Sequence, residues 1–417
     1  MKHVVMHGDV LDILRSQPDN SFDALLSDPP YGLRFMAKRW DYDVPSVEVW
    51  REALRVLKPG AAMLSFGGSR TFHRVAVAIE DAGFELRDCL MWLYGKGFPK
   101  SLDVSKAIDK SAGHWRCRAG KVLSENAAMS AANYERTPKG DPVTAAAAEW
   151  AGYGTALKPA FEPICLARKP LDGTIVENIA KWGVGGLAID ACRIEGAKPA
   201  TTRGASHGRD MAGSLGAQGR IEDDGKGRWP ANLLLDEHAG ALLDASVAPT
   251  TSVPYRENVI DGAVLPMSKR TAGGYSDSGG PSRFFYSAKV STKEREHGCS
   301  LLPRRTAGEV TGGRAEGSAA LANPRTGAGR TGGAHNHHPT LKPIALTKWL
   351  ATMIKPPAGG RLLVPYAGAG SEMIGALQAG WGEVVGIEAE AEYVAIAMAR
   401  IEAWVSRSQQ TMFDEAG

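Results

Sequence analysis

The chain has 417 residues, 43% of them hydrophobic, enough for one sizeable α/β core plus a second region, and its net charge of only +3 confines any phosphate-binding surface to a local basic face. The five cysteines (Cys89, Cys117, Cys165, Cys192 and Cys299) are odd in number and form no Cys-x-x-Cys, which argues against a disulfide framework or a zinc ribbon; His114 and Cys117 lack a second ligand pair, so no metal is expected. No apolar run reaches the roughly 18 residues of a membrane span, and Met1–Met6 runs into an acidic, strand-like stretch without the form of a signal peptide, so a cytoplasmic protein with no membrane partner is expected.

The first hundred residues alternate strands and helices. His3–Met6 is a short strand, and Val10, Ile13 and Leu14 follow at helical spacing. Phe22–Ser27 reads as a buried strand. Trp50, Ala53, Leu54 and Leu57 form the apolar stripe of a helix that Lys58-Pro59-Gly60 ends. Ala61–Phe66 is the next strand, Phe72, Val75, Ala76 and Ile79 mark a helix, and Leu86–Leu93 and Pro163–Ala167 are two further strands. The last eighty or so residues resume the pattern: a helix around Leu346–Met353, a strand at Arg361–Val364, a Gly-rich turn at Ala367–Ser371, a helix at Met373–Leu377, a strand at Glu383–Ile387 and a final helix from Tyr393 to Ile401. Such alternation implies a mostly parallel sheet with helices on both faces.

The middle differs. Residues 98–158 and 196–335 are rich in Gly, Ala, Ser, Thr and Arg with weak periodicity, and Gly204–Gly219 and Gly312–Gly333 read as flexible. Arg228–Leu235 and Ser282–Tyr286 are apolar islands, expected to dock an inserted region. Between Leu301 and His335 five arginines (Arg304, Arg305, Arg314, Arg325, Arg330) stand against Glu309 and Glu316, a candidate phosphate-tracking stretch for a DNA partner.

Four constellations carry chemistry. Asp28-Pro29-Pro30-Tyr31 follows a buried strand, where parallel-sheet enzymes place reacting groups. The prolines fix the backbone and leave their carbonyls as acceptors; the Asp28 carboxylate and the Pro29 carbonyl can each accept one hydrogen of an aromatic amine, and Tyr31 offers a flat face to its ring. Drawing the lone pair out of conjugation lets the nitrogen attack a methyl group, and Asp28 stabilises the positive charge that develops. Val364-Pro365-Tyr366-Ala367-Gly368-Ala369-Gly370-Ser371 joins a strand to a helix, and Glu388 closes the next strand 18 positions after Gly370, near the spacing at which an acid meets ribose hydroxyls in nucleotide-binding α/β folds. Asp9, after the first strand, can accept from an adenine amino group or cap the following helix. In His338-Pro339-Thr340-Leu341-Lys342-Pro343, Thr340 can cap the next helix, while Lys342 and the helix N-terminus can hold a carboxylate.

Together, Asp28–Tyr31, the His-Pro-Thr-x-Lys-Pro stretch, the Gly-rich turn and Glu388 resemble the β group of DNA amino-methyltransferases, in which the catalytic motif precedes the cofactor motif and target recognition lies between them. Tyr94–Ser101, Glu162–Pro170 and Arg228–Asn232 also resemble phage and prophage DNA methylases. The resemblance implies a Rossmann-like methyltransferase sheet assembled from both ends of the chain, with an inserted, partly irregular recognition region. The implied division is a catalytic half at 1–97, an insertion at 98–158, a return strand and the approach to the recognition region at 159–195, recognition at 196–335, and a cofactor half at 336–417. S-adenosylmethionine is the implied cofactor, with Asp9 near its adenine, Glu388 at the ribose, and Lys342, Pro365, Tyr366, Ala367, Gly368, Gly370 and Ser371 around the methionine part. Asp28, Pro29, Pro30 and Tyr31 are the implied catalytic set, acting on a base flipped out of DNA. Asp rather than Ser at position 28 favours the N6 of adenine over the N4 of cytosine. The chain departs from the family at Val364, where an acid is usual, and at Ser371-Glu372, where Thr often follows the glycines; the first departure motivates a rival reading as a catalytically inactive DNA-binding relative. The resemblance is compatible with a homodimer, and the sequence is silent on a restriction partner.

Overall fold

The computed structural model describes residues 1–33, 41–95, 101–116, 135–137, 141–195, 227–251, 278–288, 294–306, 309 and 333–414. The chain divides into a larger unit, residues 1–95 and 161–417, and a smaller one, residues 96–160.

The larger unit is built on one nine-stranded sheet. Its strands, in chain order, are β1 (Lys2–His7), β2 (Phe22–Ser27), β3 (Leu57–Phe66), β4 (Glu85–Leu93), β5 (Phe161–Arg168), β6 (Leu233–Asp236), β7 (Tyr286–Ala288), β8 (Arg361–Pro365) and β9 (Glu383–Glu388). The spatial order is β1-β9-β8-β2-β3-β5-β4-β6-β7. All neighbours run parallel except β5, which is antiparallel to both β3 and β4. Strands from the two ends of the sequence therefore interleave, because β8 pairs with both β9 and β2. The helices are α1 (Val10–Ser16), α2 (Val47–Val56), α3 (Phe72–Asp81), α4 (Ile175–Trp182), α5 (Glu237–Ser246), α6 (Ile344–Met353), α7 (Ser371–Gln378) and α8 (Ala391–Asp414).

Successive side chains of a strand point to opposite faces, and here they feed two apolar layers. Ala24 and Leu26, Leu64 and Phe66, and Leu362 and Val364 join Trp349, Leu350, Ile374 and Leu377 of α6 and α7 on one face. Leu25, Ala61, Met63 and Leu363 join Leu14, Trp50, Ala53, Val75 and Ile79 of α1, α2 and α3 on the other. Every residue of β2 is buried, as its unbroken run Phe-Asp-Ala-Leu-Leu-Ser anticipates. The helix ends are satisfied by side chains: Arg55 donates to the carbonyls of Leu14 (2.8 Å) and Gln17 (2.9 Å), closing α1.

Several boundaries differ from the sequence reading. The strand expected at Ala61 begins at Leu57, directly after α2, because Lys169 Nζ donates to the Leu57 carbonyl at 2.7 Å and holds the chain extended there. The apolar islands Arg228–Leu235 and Ser282–Tyr286, expected as docking points within the 196–335 region, run into the strands Leu233–Asp236 and Tyr286–Ala288, which extend the core sheet. They are too short for periodicity to distinguish a strand from a docked apolar island. Thr340 does not cap α6: Pro343 occupies the cap position, and Glu294 accepts from the Ile344 amide at 3.3 Å instead.

The smaller unit contains the helices Val104–Ser111 and Ala145–Glu149 and a parallel pair of short strands, His114–Arg116 and Glu135–Thr137. Asp109 is fully buried between the helices and accepts from the Val143 and Thr144 amides and the Thr144 hydroxyl, at 3.0, 3.0 and 2.9 Å. Of the stretches read as flexible, Gly204–Gly219 and all of Gly312–Gly333 but its last residue lie outside the described residues, as do Arg314, Arg325 and Arg330.

Candidate active site

Parallel strands deliver their carboxyl ends to one edge of a sheet, and ligands of open α/β folds bind in the crevice there. In this chain that edge carries Gly8-Asp9 after β1, Asp28 after β2, Gly67-Gly68 after β3, the Gly-rich turn after β8, and Glu388 at the end of β9. The sequence reading selected all of these positions except Gly67-Gly68. Because β5 runs the other way, its amino end reaches the same edge: Ile164 pairs with Phe66, the last residue of β3. That reversal delivers Glu162, which the sequence reading did not select.

Asp28 sits at the centre. One carboxylate oxygen accepts from Lys342 Nζ at 2.7 Å, and the other accepts from the Tyr31 hydroxyl at 2.8 Å. Glu162 makes the same two contacts, accepting from the Tyr31 hydroxyl at 3.1 Å and facing Lys342 Nζ at 3.2 Å. Lys342 also donates to the Tyr31 oxygen at 3.1 Å and lies 4.7 Å over the Phe66 ring. Burial opposes the charge on Lys342, but Asp28 and Glu162 outweigh it and hold the ammonium well above its ordinary value. Burial, then the charges of Asp28 and Glu162, push the Tyr31 phenol well above its ordinary value, so it is a neutral donor. Lys342 was expected beside the methionine moiety; its ammonium meets Asp28 and Tyr31, a contact the sequence did not announce. The sequence reading gave Tyr31 only a stacking face, and the structure adds a role for its hydroxyl.

The backbone of the motif is held from outside. Buried Asp41 accepts from the amides of Tyr31 (2.8 Å) and Gly32 (3.0 Å), and the Thr71 hydroxyl donates to the Tyr31 carbonyl at 2.6 Å. Gly68 lets the chain pass close to the ring, since a Cβ there would lie 3.1 Å from Tyr31 Cδ2. Asp41, Thr71 and Gly68 carry no motif, and only the fold reveals them.

The second half of the site is the turn after β8. Tyr366 has φ 60°, and Gly368 and Gly370 have φ 51° and 77°, all in the left-handed region. Glu388 is 8% exposed, and each of its oxygens accepts a backbone amide: Gly368 at 2.8 Å and Glu390 at 2.8 Å. Burial nevertheless raises its carboxyl above the ordinary value. Arg400 of α8, 1% exposed, donates to the Ala369 carbonyl and to Ser371 Oγ (3.2 Å). The turn is thus pinned by Glu388 on one side and Arg400 on the other. Val364, at the position where the resemblance leads one to expect an acid, is fully buried in the apolar layer beside α6 and α7. His338 donates through Nδ1 to the Thr340 carbonyl, and its Nε2 would lie 2.8 Å from a Cβ at Gly368. Burial pushes this imidazole down to about 4, so it is neutral. Glu372, 4% exposed at the start of α7, is pushed up to about 7 by burial and then by the charge of Asp28.

Asp9 is exposed and caps α1, accepting through Oδ1 from the Leu11 (2.9 Å) and Asp12 (3.3 Å) amides. Its helix-capping role is therefore observed, and its second oxygen is available beside the turn of Tyr366. Of the arginines, Arg304 is exposed, whereas Arg305 is ion-paired with Glu392. Among the described residues no group of His, Cys, Asp and Glu is arranged to hold a metal ion, and no helix is long and apolar enough to cross a membrane.

No family model matches the chain. It is 30% identical over 143 residues, 33% of its own length, to the type II methyltransferase M.HindIII of Haemophilus influenzae, and this match spans only 37% of that relative. Among solved structures, M1.HpyAVI aligns over 96% of this chain and 98% of its own at 11% identity and a TM-score of 0.38. The PvuII DNA methyltransferase (cytosine-N4-specific) aligns over 96% and 86% at 13% identity and a TM-score of 0.39. The fold assignment rests on the sheet described above, and in its motifs the chain resembles the β group of DNA amino-methyltransferases.

Proposed function

We propose that this chain is an S-adenosylmethionine-dependent DNA methyltransferase that acts on the N6 amino group of adenine. The reading rests above all on one juxtaposition: the Asp28–Tyr31 motif from one end of the sequence and the Glu388-braced turn from the other open on the same edge of a continuous parallel segment.

The turn suits the cofactor. A Cβ at Gly368 would strike His338, so the backbone there stays bare, and each Glu388 oxygen keeps a second lone pair for a ribose hydroxyl beyond its backbone bond. S-adenosylmethionine supplies a methyl group on a sulfonium, which leaves as the thioether once the methyl is taken. The protein's part is to present the base. Asp28 and the Pro29 carbonyl accept the two amino hydrogens, which localises the nitrogen lone pair for attack on the methyl carbon. As the nitrogen–carbon bond forms and the carbon–sulfur bond breaks, Asp28 stabilises the ammonium-like nitrogen; one of its protons then passes to solvent, restoring a neutral amine. Tyr31 stacks on the extruded base. Arg304 and the Gly-rich stretch to which it belongs are the proposed contact to DNA phosphates.

Asp28→Ala should keep cofactor and DNA binding and lose methyl transfer by about a hundredfold or more. Nucleoside analysis of methylated DNA should yield N6-methyladenine. N4-methylcytosine would overturn the choice of base and leave the mechanism standing; near-normal turnover by Asp28→Ala would overturn the mechanism.

A further inference from the structure

Both oxygens of Asp28 are occupied in the structure: one by Lys342, the other by the Tyr31 hydroxyl. Each oxygen keeps a second lone pair, and a carboxylate that turns to aim one at an incoming amino hydrogen loosens one of these bonds. The only other anion in contact with both donors among the described residues is Glu162, 3.2 Å from Lys342 Nζ and 3.1 Å from the Tyr31 oxygen. Its side chain is 23% exposed, against 6% for Lys342, so it stands at the open side of the cluster. Its place is fixed by the ladder: Glu162 pairs with Trp92 of β4 and lies two residues from Ile164, the partner of Phe66.

We propose that Glu162 is a positioning residue that takes over Lys342 and the Tyr31 hydroxyl when the Asp28 carboxylate turns to the amino group of the substrate base. The exchange is between two preformed acceptors around one cation, so Lys342 is never left buried without a counter-charge, an arrangement that would be costly. Tyr31 keeps its ring in place because its hydroxyl is bonded before and after. The inference rests on the methyltransferase reading, since it needs Asp28 to receive the amine. Among the described residues, the other ionisable groups facing this cluster are Tyr94, beyond the end of β4, Glu372 of α7 and His338.

The test uses the full chain with Glu162→Gln and Glu162→Asp. Glu162→Gln should lower kcat for DNA methylation about tenfold or more while the KM for S-adenosylmethionine stays within about twofold, and Glu162→Asp should recover part of the loss. Unchanged kcat in Glu162→Gln would overturn the proposal. A second readout is independent of turnover: 3-fluorotyrosine placed at position 31 reports ionisation of that phenol by ¹⁹F NMR. Glu162→Gln should lower its titration midpoint and Glu162→Asp should restore it. A midpoint that does not move shows that Glu162 does not hold the hydroxyl and overturns the proposal even if the wild-type chain methylates no DNA; a midpoint that falls in a chain without methyl transfer supports the hold on Tyr31 and refutes only the methyltransferase reading.

Discussion

Glu372 offers a test of the buried network through stability alone. It opens α7, is 4% exposed, and has its carboxyl pushed up to about 7 by burial first and by Asp28 second, with Lys342 and Arg400 working in the opposite direction. In the unfolded chain the same carboxyl releases its proton near 4.5. The folded state thus binds the proton more tightly, so the contribution of Glu372 is fully present below about 4.5 and is lost as pH rises through about 7. A rise of that size corresponds to about 3 kcal/mol across the window. His338, pushed down to about 4, acts in the opposite sense: holding it neutral costs stability where the unfolded imidazole would be protonated, and that cost disappears as pH rises. The measurement must therefore be a difference: guanidinium unfolding of wild type and Glu372→Gln at intervals from pH 5 to 8. The variant should gain on wild type steadily with pH, by about 2–3 kcal/mol at the upper end. Parallel stability curves would refute the reasoning, because they would mean that Glu372 is ionised at neutral pH in the folded state at no cost.

Two further expectations concern binding. Glu388→Ala should weaken S-adenosylmethionine binding by about 1–3 kcal/mol in calorimetry, and unchanged affinity in a folded variant would remove Glu388 from the cofactor site. Neutralising Arg304 should flatten the plot of log DNA affinity against log salt by roughly one phosphate contact, while neutralising Arg305, already matched by Glu392, should change it less. Equal effects at the two positions would show that the Glu392 pair does not persist on DNA.

Much of the catalytic edge was legible because it is local. Asp28-Pro29-Pro30-Tyr31 and the turn at Ala367–Ser371 each sit where an apolar run stops, and the run itself declares the strand. What stayed hidden depends on strand direction and on distant packing. Glu162 sits near the start of a strand like any other in sequence, and only the antiparallel course of β5 turns it toward Tyr31. Arg400 reads as one charge on a helix, yet it is buried against the Ala369 carbonyl. Lys342 was recognised as chemically important but its partners were not, because a motif next to a helix start says nothing about which carboxylate, more than three hundred residues earlier, lies across from it. The short strands β6 and β7 were missed for the reason that two or three apolar residues have no period to read.

The junction of β4 and β5 has a consequence for how the chain can be altered. Leu93 and Phe161 face each other across the last rung of that ladder, so the connection between them joins neighbouring strands. Such a segment is a cassette. It can be lengthened, shortened or replaced by a tight turn, or grafted from another protein, without changing the register that sets Glu162 opposite Trp92. The ladder and the connection that closes it can therefore diverge at separate rates.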